Sequence, residues 1–218
     1  MKYFYKGKFN LQKLHPLNID YQTVSRIPCG CRVLEIGCAD GFMGEYLMKK
    51  KKCSLVGVEI DQKAGKKARA RGLEIIEGDI EQPEVYRKLK IFPPFDIILA
   101  SSIIEHLKEP GQSLVNWKKF LKTNGFLIVT VPNIAHWAAR LKILSGKFDY
   151  EKYGIFDENH LRFFTEKSFK KLISSAGYKI EFFGIDPVGG GFPKISRFLS
   201  LFFPKLFAYQ MIIKAKLY

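Results

Sequence analysis

The stretch Val33-Leu34-Glu35-Ile36-Gly37-Cys38-Ala39-Asp40-Gly41 constrains this chain more than any other. Val33, Leu34 and Ile36 make a short apolar run of the kind buried as a strand. Gly37 and Gly41 bracket a loop in which positive φ costs little, and Phe42, Met43, Tyr46 and Leu47 then share one helical face. Strand, glycine loop and helix in that order build the ligand end of a βα unit, where an open parallel sheet holds nucleotides against a helix N-terminus.

The spacing Gly37-x-x-x-Gly41-x-x-Gly44 is not the G-x-G-x-x-G of a dinucleotide site, and Asp40 sets a carboxylate in the loop that repels phosphate. A ligand with an ammonium group and no phosphate suits it better, and S-adenosyl-L-methionine is such a ligand. Further units follow in register. Leu55 to Val58 reads as a second strand ending at Glu59, about twenty residues past the first glycine, where a carboxylate can accept from both ribose hydroxyls; Asp61 is its rival. Leu73 to Ile76 reads as a third strand. It ends in Gly78, Asp79 and Ile80, which offer an acceptor for an adenine amino group and an apolar wall for its ring. Phe95 to Ala100 is a fourth, opening into Ser101-Ser102-Ile103-Ile104-Glu105-His106, and Gly125 to Val131 is a fifth.

In this combination the sequence resembles the class I S-adenosylmethionine-dependent methyltransferases, in their small-molecule branch, over residues 30–180. Val33 to Gly41 is similar to their first motif, Val58-Glu59 to the ribose-binding acid, Gly78-Asp79-Ile80 to the adenine contact and Leu121 to Val131 to the strand that closes the core. The resemblance implies an α/β fold with a Rossmann-like, doubly wound, seven-stranded sheet, mostly parallel with one antiparallel strand near the C-terminus. It also implies methyl transfer and cofactor contacts at Glu35, Gly37, Cys38, Asp40, Gly41, Glu59, Ile60, Gly78, Asp79, Ile80 and Ser101. The run Phe156-Asp157-Glu158-Asn159-His160-Leu161-Arg162-Phe163-Phe164 is similar to one in methyltransferases of bacterial polysaccharide clusters. Glu105-His106 resembles a pair in ubiquinone-pathway O-methyltransferases, where a divalent metal has been implicated. The additional upstream acid of those enzymes is replaced here by serine or isoleucine, so no metal is expected.

At 218 residues, 47% of them hydrophobic, one domain spanning 1–218 is expected. Its parts are a helical cap at 1–28, a cofactor-binding core at 29–185, a basic aromatic insertion at 187–207 and a last strand at 208–218. Within the cap, 11–27 reads as a helix lying across the cofactor mouth. The last strand is expected antiparallel to a sixth at Tyr178 to Ile185, at the sheet edge or one place in. Ala135 to Leu144 reads as a helix and 147–164 as a long loop at the ligand edge. Thr165 then caps a helix that runs to Ser175 and closes at Gly177. There is no apolar run of 18 residues, and Met1 to Phe9 alternates Lys with aromatics and lacks the apolar core of a leader, so a cytoplasmic location is expected. Cys29, Cys31, Cys38 and Cys53 lack metal-ligand spacing and read as reduced thiols.

The net charge of +15 favours anionic partners. Part of it is structural: Lys49 to Lys52 suit the carbonyl end of a helix. The segment 192–207 combines nine large apolar side chains with Lys194, Arg197, Lys205 and no acid. That composition suits peripheral contact with the inner face of a membrane or with an apolar acceptor chain, but a lid packed on the core shows the same composition and is the favoured reading; Pro204 argues against one continuous helix. The expected acceptor is a small or lipid-linked, anionic molecule such as one bearing a sugar hydroxyl, with His106 and His160 as candidate catalytic bases because imidazole titrates near neutrality. An RNA methyltransferase is a second reading, disfavoured because Ser101 to Ile104 stand where a base-gripping Pro-Pro-aromatic motif belongs. A third is a methyltransferase-fold accessory protein without turnover, of which methionine biosynthesis has examples.

Overall fold

The strands expected from the apolar runs pair into one sheet in the order β3-β2-β1-β4-β5-β7-β6. The structure is a computed structural model and describes residues 10–188 and 193–218. Met1 to Phe9 of the cap, and Gly189, Gly190, Gly191 and Phe192 of the insertion, lie outside the described residues. Strands β1 (Arg32–Ile36), β2 (Ser54–Glu59), β3 (Glu74–Glu77), β4 (Phe95–Ser101) and β5 (Leu121–Pro132) run parallel. β7 (Gln210–Leu217) is antiparallel to both β5 and β6 (Tyr178–Asp186), one place in from the edge. Strand order reverses between β1 and β4, which opens a crevice at their carboxyl ends.

The central strands are covered on both faces, which is why they read as continuous apolar runs. Side chains alternate between two cores. Leu34, Ile36, Ile98, Ala100, Leu127 and Val129 join Trp117, Phe169 and Tyr178 on one face, while Val33, Ile97, Leu99 and Ile128 join Leu47 and Ile212 on the other. Fully burying each large side chain is worth about 1.5–3 kcal/mol. Tyr178 is fully buried and keeps its hydroxyl satisfied by donating to the Leu114 carbonyl at 2.9 Å. Helices α2 (Phe42–Lys51), α3 (Gln62–Ala70), α4 (Pro83–Leu89), α5 (Pro110–Trp117) and α7 (Glu166–Ser175) connect the strands. Thr165 caps α7 as expected, in a reciprocal box with Ser168.

Three expectations need correcting. The lead-in at 11–27 is not one helix: a single 3-10 turn at Leu11–Lys13 is followed by α1 (Ile19–Ser25). Pro16 cannot donate within a helix, and the Asn18 side chain starts a new one by accepting from Asp20 and Tyr21 N–H. α6 (Trp137–Leu144) begins two residues late, because Asn133 accepts from Ala135 N–H and His136 from Ala138 N–H, which holds the entry in a turn. The insertion forms α8 (Pro193–Ser200) and α9 (Pro204–Phe207), broken at Pro204, but it does not pack its aromatic face on the core. Ser196 and Ser200 turn inward, while Ile195, Phe198, Leu201, Phe202 and Phe203 are 56–73% exposed.

Candidate active site

Gly37 closes β1 at φ +71°, and a Cβ there would lie 2.7 Å from the Ile103 side chain, so only glycine fits. Ala39 and Ser102, which both line the crevice, have φ of +49° and +50°, a conformation non-glycine residues seldom adopt. Glu59, at the end of β2, holds the glycine loop. Its Oε2 accepts from Ala39 N–H at 2.7 Å and its Oε1 from Asp61 N–H at 2.8 Å. Gly41, at φ +78°, starts α2.

Two cavities meet at Gly37. One, of about 320 Å³, is walled by Asn18, Asp20, Glu35, Ala39, Phe42 and Ser101 among others and reaches Tyr209 and Gln210. Cys38 also lines it, its thiol held protonated by burial and by the neighbouring acids. The other, of about 370 Å³, is lined by Glu59, Ile60, Gly78, Asp79, Ile80 and Ile103. Expected contacts on three separate loops are thereby brought together. Asp40 and Gly41 are not among the residues lining either cavity. Asp40 is buried and turns to Arg71, whose Nη2 lies 3.2 Å away and whose other nitrogen pairs with Glu45. Three carboxylates line the first cavity, Asp20, Glu35 and Asp186, and of these Glu35 is buried with Oε2 unpartnered; burial, with Glu59 and Asp40 adding repulsion, pushes it up to about 8. Asp61 lines neither cavity and caps α3, its Oδ1 accepting from Lys63 and Ala64 N–H.

His106 and His160 are 54 positions apart in sequence and yet their ring centres lie 4.8 Å apart, edge to face. The loop that carries His160 is stitched to the exit of β4: Leu161 and Arg162 N–H donate to the Glu105 carbonyl at 2.8 and 3.0 Å, and Arg162 Nη2 to the Lys108 carbonyl at 2.6 Å. Burial lowers His106 to about 4. A small third cavity between the two rings shares Ser102, Tyr209 and Gln210 with the first one. Residues not anticipated from the sequence come from the cap and the last strands. Ile19 N–H donates to Asp186 Oδ2 at 2.8 Å and Gln22 Nε2 to the Ile185 carbonyl at 2.9 Å, which lays α1 over the crevice. An acid at the end of the sixth strand was the one available signal.

The comparisons agree with this architecture. A possible histamine N-methyltransferase of Thermotoga maritima superposes with a TM-score of 0.60 at 22% identity, covering 90% of this chain and 86% of that one. A Haloferax volcanii putative methyltransferase, solved with the Trm112 methyltransferase activator, gives 0.63 at 13% identity, covering 90% and 87%. Both likenesses concern the fold. Among curated proteins, the ubiquinone biosynthesis O-methyltransferase of Xylella fastidiosa is 29% identical over 141 residues, 63% of this chain and 56% of that protein. The corresponding enzyme of Pasteurella multocida is 28% identical over 172 residues, 68% and 70%. The chain thus spans little more than half the length of the first of these relatives. A family described as methionine biosynthesis protein MetW matches residues 18–189, from the cap of α1 to just past the end of β6. With most of its length so matched, the chain belongs to the MetW family.

Proposed function

We propose that this protein binds S-adenosyl-L-methionine and transfers its methyl group to a hydroxyl of a small or lipid-linked, anionic acceptor. The observation that carries the reading is the crevice in which two ligand-sized cavities meet at Gly37 and the first runs on to Ser102, Tyr209 and Gln210 beside the histidine pair. The cavity with Glu59, Asp79 and the apolar Ile80 and Ile103 suits adenosine. Glu35 suits the ammonium of the methionine moiety, whose positive charge offsets the cost of ionising a buried carboxyl. The methyl carbon then points toward the junction. An acceptor oxygen held in line about 3–3.5 Å behind it forms the new O–C bond as the sulfur leaves as thioether, and much of the rate comes from that positioning. The hydroxyl proton leaves toward the buried group of Glu105, His106 and His160.

An anionic acceptor is supported by a further cavity of about 470 Å³ beside Asn133, lined by Arg140, Lys167, Lys170 and Lys205. The exposed Ile195 and Phe198 of α8, with Leu201, Phe202 and Phe203 after it, support a lipid-linked one held at a membrane surface. Among the described residues no helix is long and apolar enough to cross a membrane. Calorimetric titration with S-adenosyl-L-methionine and its demethylated product tests the first half. Transfer of labelled methyl to sugar phosphates and polyprenyl-phosphate sugars tests the second. The family match favours one other reading, an accessory protein of methionine biosynthesis that holds the cofactor without turnover. Saturable binding of both ligands with no transfer to any acceptor would support it.

A further inference from the structure

We propose that the cavity of about 470 Å³ between α6, α7 and α9 binds a phosphate or diphosphate group through Arg140, Lys167 and Lys205. These three and Lys170 line it against one acid, Glu166, and that acid is already engaged. Lys170 Nζ pairs with it at 2.6 Å and lies over the Phe183 ring. Among the described residues, Arg140, Lys167 and Lys205 form no ion pair. Three like charges that converge without a counter-charge repel one another, and an anion placed among them relieves that repulsion.

The convergence is held by the fold and is more than a basic surface. Asn133, 1% exposed, ties together the elements that carry the cations. Its Nδ2 donates to the Lys205 carbonyl at 3.2 Å and the Ala208 carbonyl at 2.8 Å, which fixes α9. Its Oδ1 accepts from Ala135 N–H at 3.0 Å, at the entry to α6, and the next N–H, of Ile134, donates to the Phe164 carbonyl at 3.0 Å, just ahead of α7. Arg140 is itself braced. Its Nε donates to the Ala135 carbonyl at 2.7 Å, which leaves the two Nη nitrogens to fork onto phosphate oxygens. The start of α7, a helix of 10 residues, also borders the cavity, and its dipole adds positive potential there.

Several cations around one space favour a group with more than one negative charge, phosphate or diphosphate over carboxylate. The volume is in the range of small-molecule sites, so the group arrives on a larger molecule, a soluble phosphorylated compound or a phosphate-bearing lipid. The cavity stands next to the crevice: Asn133 N–H donates to the Tyr209 carbonyl at 2.9 Å, and Tyr209 lines the first cavity. That the anion belongs to the methyl acceptor rests on the function proposed above; binding of the anion itself does not.

The test is calorimetric titration of the purified full chain with inorganic pyrophosphate, at low and at physiological ionic strength and without S-adenosyl-L-methionine. One site per chain is expected, weaker as salt rises. Replacing both Arg140→Gln and Lys205→Gln should weaken it about tenfold or more, while Lys50→Gln with Lys66→Gln, which removes the same charge from exposed positions elsewhere, leaves it unchanged. In wild-type protein labelled with ¹⁵N, pyrophosphate should shift the Arg140 Nε–H signal, a readout that needs no variant. Two arms separate the sources of the group. Vesicles of phosphatidylglycerol that pyrophosphate displaces identify a lipid phosphate; saturation by uridine diphosphate glucose, with vesicle binding unaltered in the double variant, identifies a soluble one. No saturable binding of pyrophosphate, undiminished binding in the Arg140 and Lys205 double variant, or an equal loss in the control pair would each overturn the site and leave methyl transfer untouched. Pyrophosphate bound with no methyl transfer counts against the proposed function alone.

Discussion

Glu59 and Ala39 are joined across the crevice by a 2.7 Å hydrogen bond from the Ala39 N–H to the Glu59 carboxylate, whose second oxygen is taken by Asp61 N–H. A single side chain therefore sets the left-handed turn at Ala39 and ties β2 to the glycine loop. Glu59→Ala should lower stability and weaken S-adenosyl-L-methionine binding together, by about 1.5–3 kcal/mol, the range for hydrogen bonds to a charged group. Asp61→Ala removes only a helix cap, costing about 1 kcal/mol of stability with cofactor affinity unchanged. Thermal melts and calorimetric titration of the two variants, side by side, check the distinction.

Gly37→Ala meets two obstacles, φ of +71° and a Cβ 2.7 Å from Ile103 Cδ1. The left-handed conformation alone costs about 1–2 kcal/mol. Because Gly37 lines both cavities, the relief of that clash should close the crevice, and cofactor binding should fall below detection in calorimetry while the far-ultraviolet circular dichroism stays that of the wild type.

Glu35 is held up to about 8 by burial, so it takes a proton on folding and keeps it at neutral pH. With the folded value above the unfolded one, its contribution to stability is full below about pH 4.5 and lost as pH rises through about 8, at up to about 1.4 kcal/mol per pH unit. A bound ammonium favours the ionised form, so cofactor binding should release a proton and tighten from pH 6 to 8. Titrations in buffers of different ionisation enthalpy measure that proton, and Glu35→Gln should abolish it.

Asp186 pins the cap by accepting from Ile19 N–H at 2.8 Å and from Val188 N–H at 2.9 Å. Removing the carboxylate in Asp186→Ala frees the start of α1 from the crevice. We expect release of the demethylated cofactor to speed up about tenfold or more, in keeping with about 1.5–3 kcal/mol for a charged acceptor, with little change in its on-rate. Stopped-flow displacement gives both constants.

Much of the fold could be read locally. The apolar runs at Val33 to Ile36 and Phe95 to Ala100 are strands because burial on both faces asks for nothing more than uninterrupted apolar side chains. Thr165 and Gly177 delimit α7 by cap chemistry, and the places of Gly37, Glu59 and Asp79 on the cavity wall follow from their positions at strand ends. Asp40 lies off both cavity walls because Arg71 reaches its carboxylate from the far end of α3, a contact that spacing within the loop does not reveal.

The sequence by itself determined the succession of strands and helices and the glycine turn, since each rests on periodicity or spacing within a few residues. Tertiary structure alone decided which distant groups meet. The loop that carries His160 has no periodicity, and its position is set by backbone hydrogen bonds to Glu105. The cap residues reach the crevice because Asp186 accepts from Ile19, 167 positions away. It also decided that α8 faces inward with Ser196 and Ser200, because the same amphipathic pattern is compatible with either face until the rest of the fold is in place.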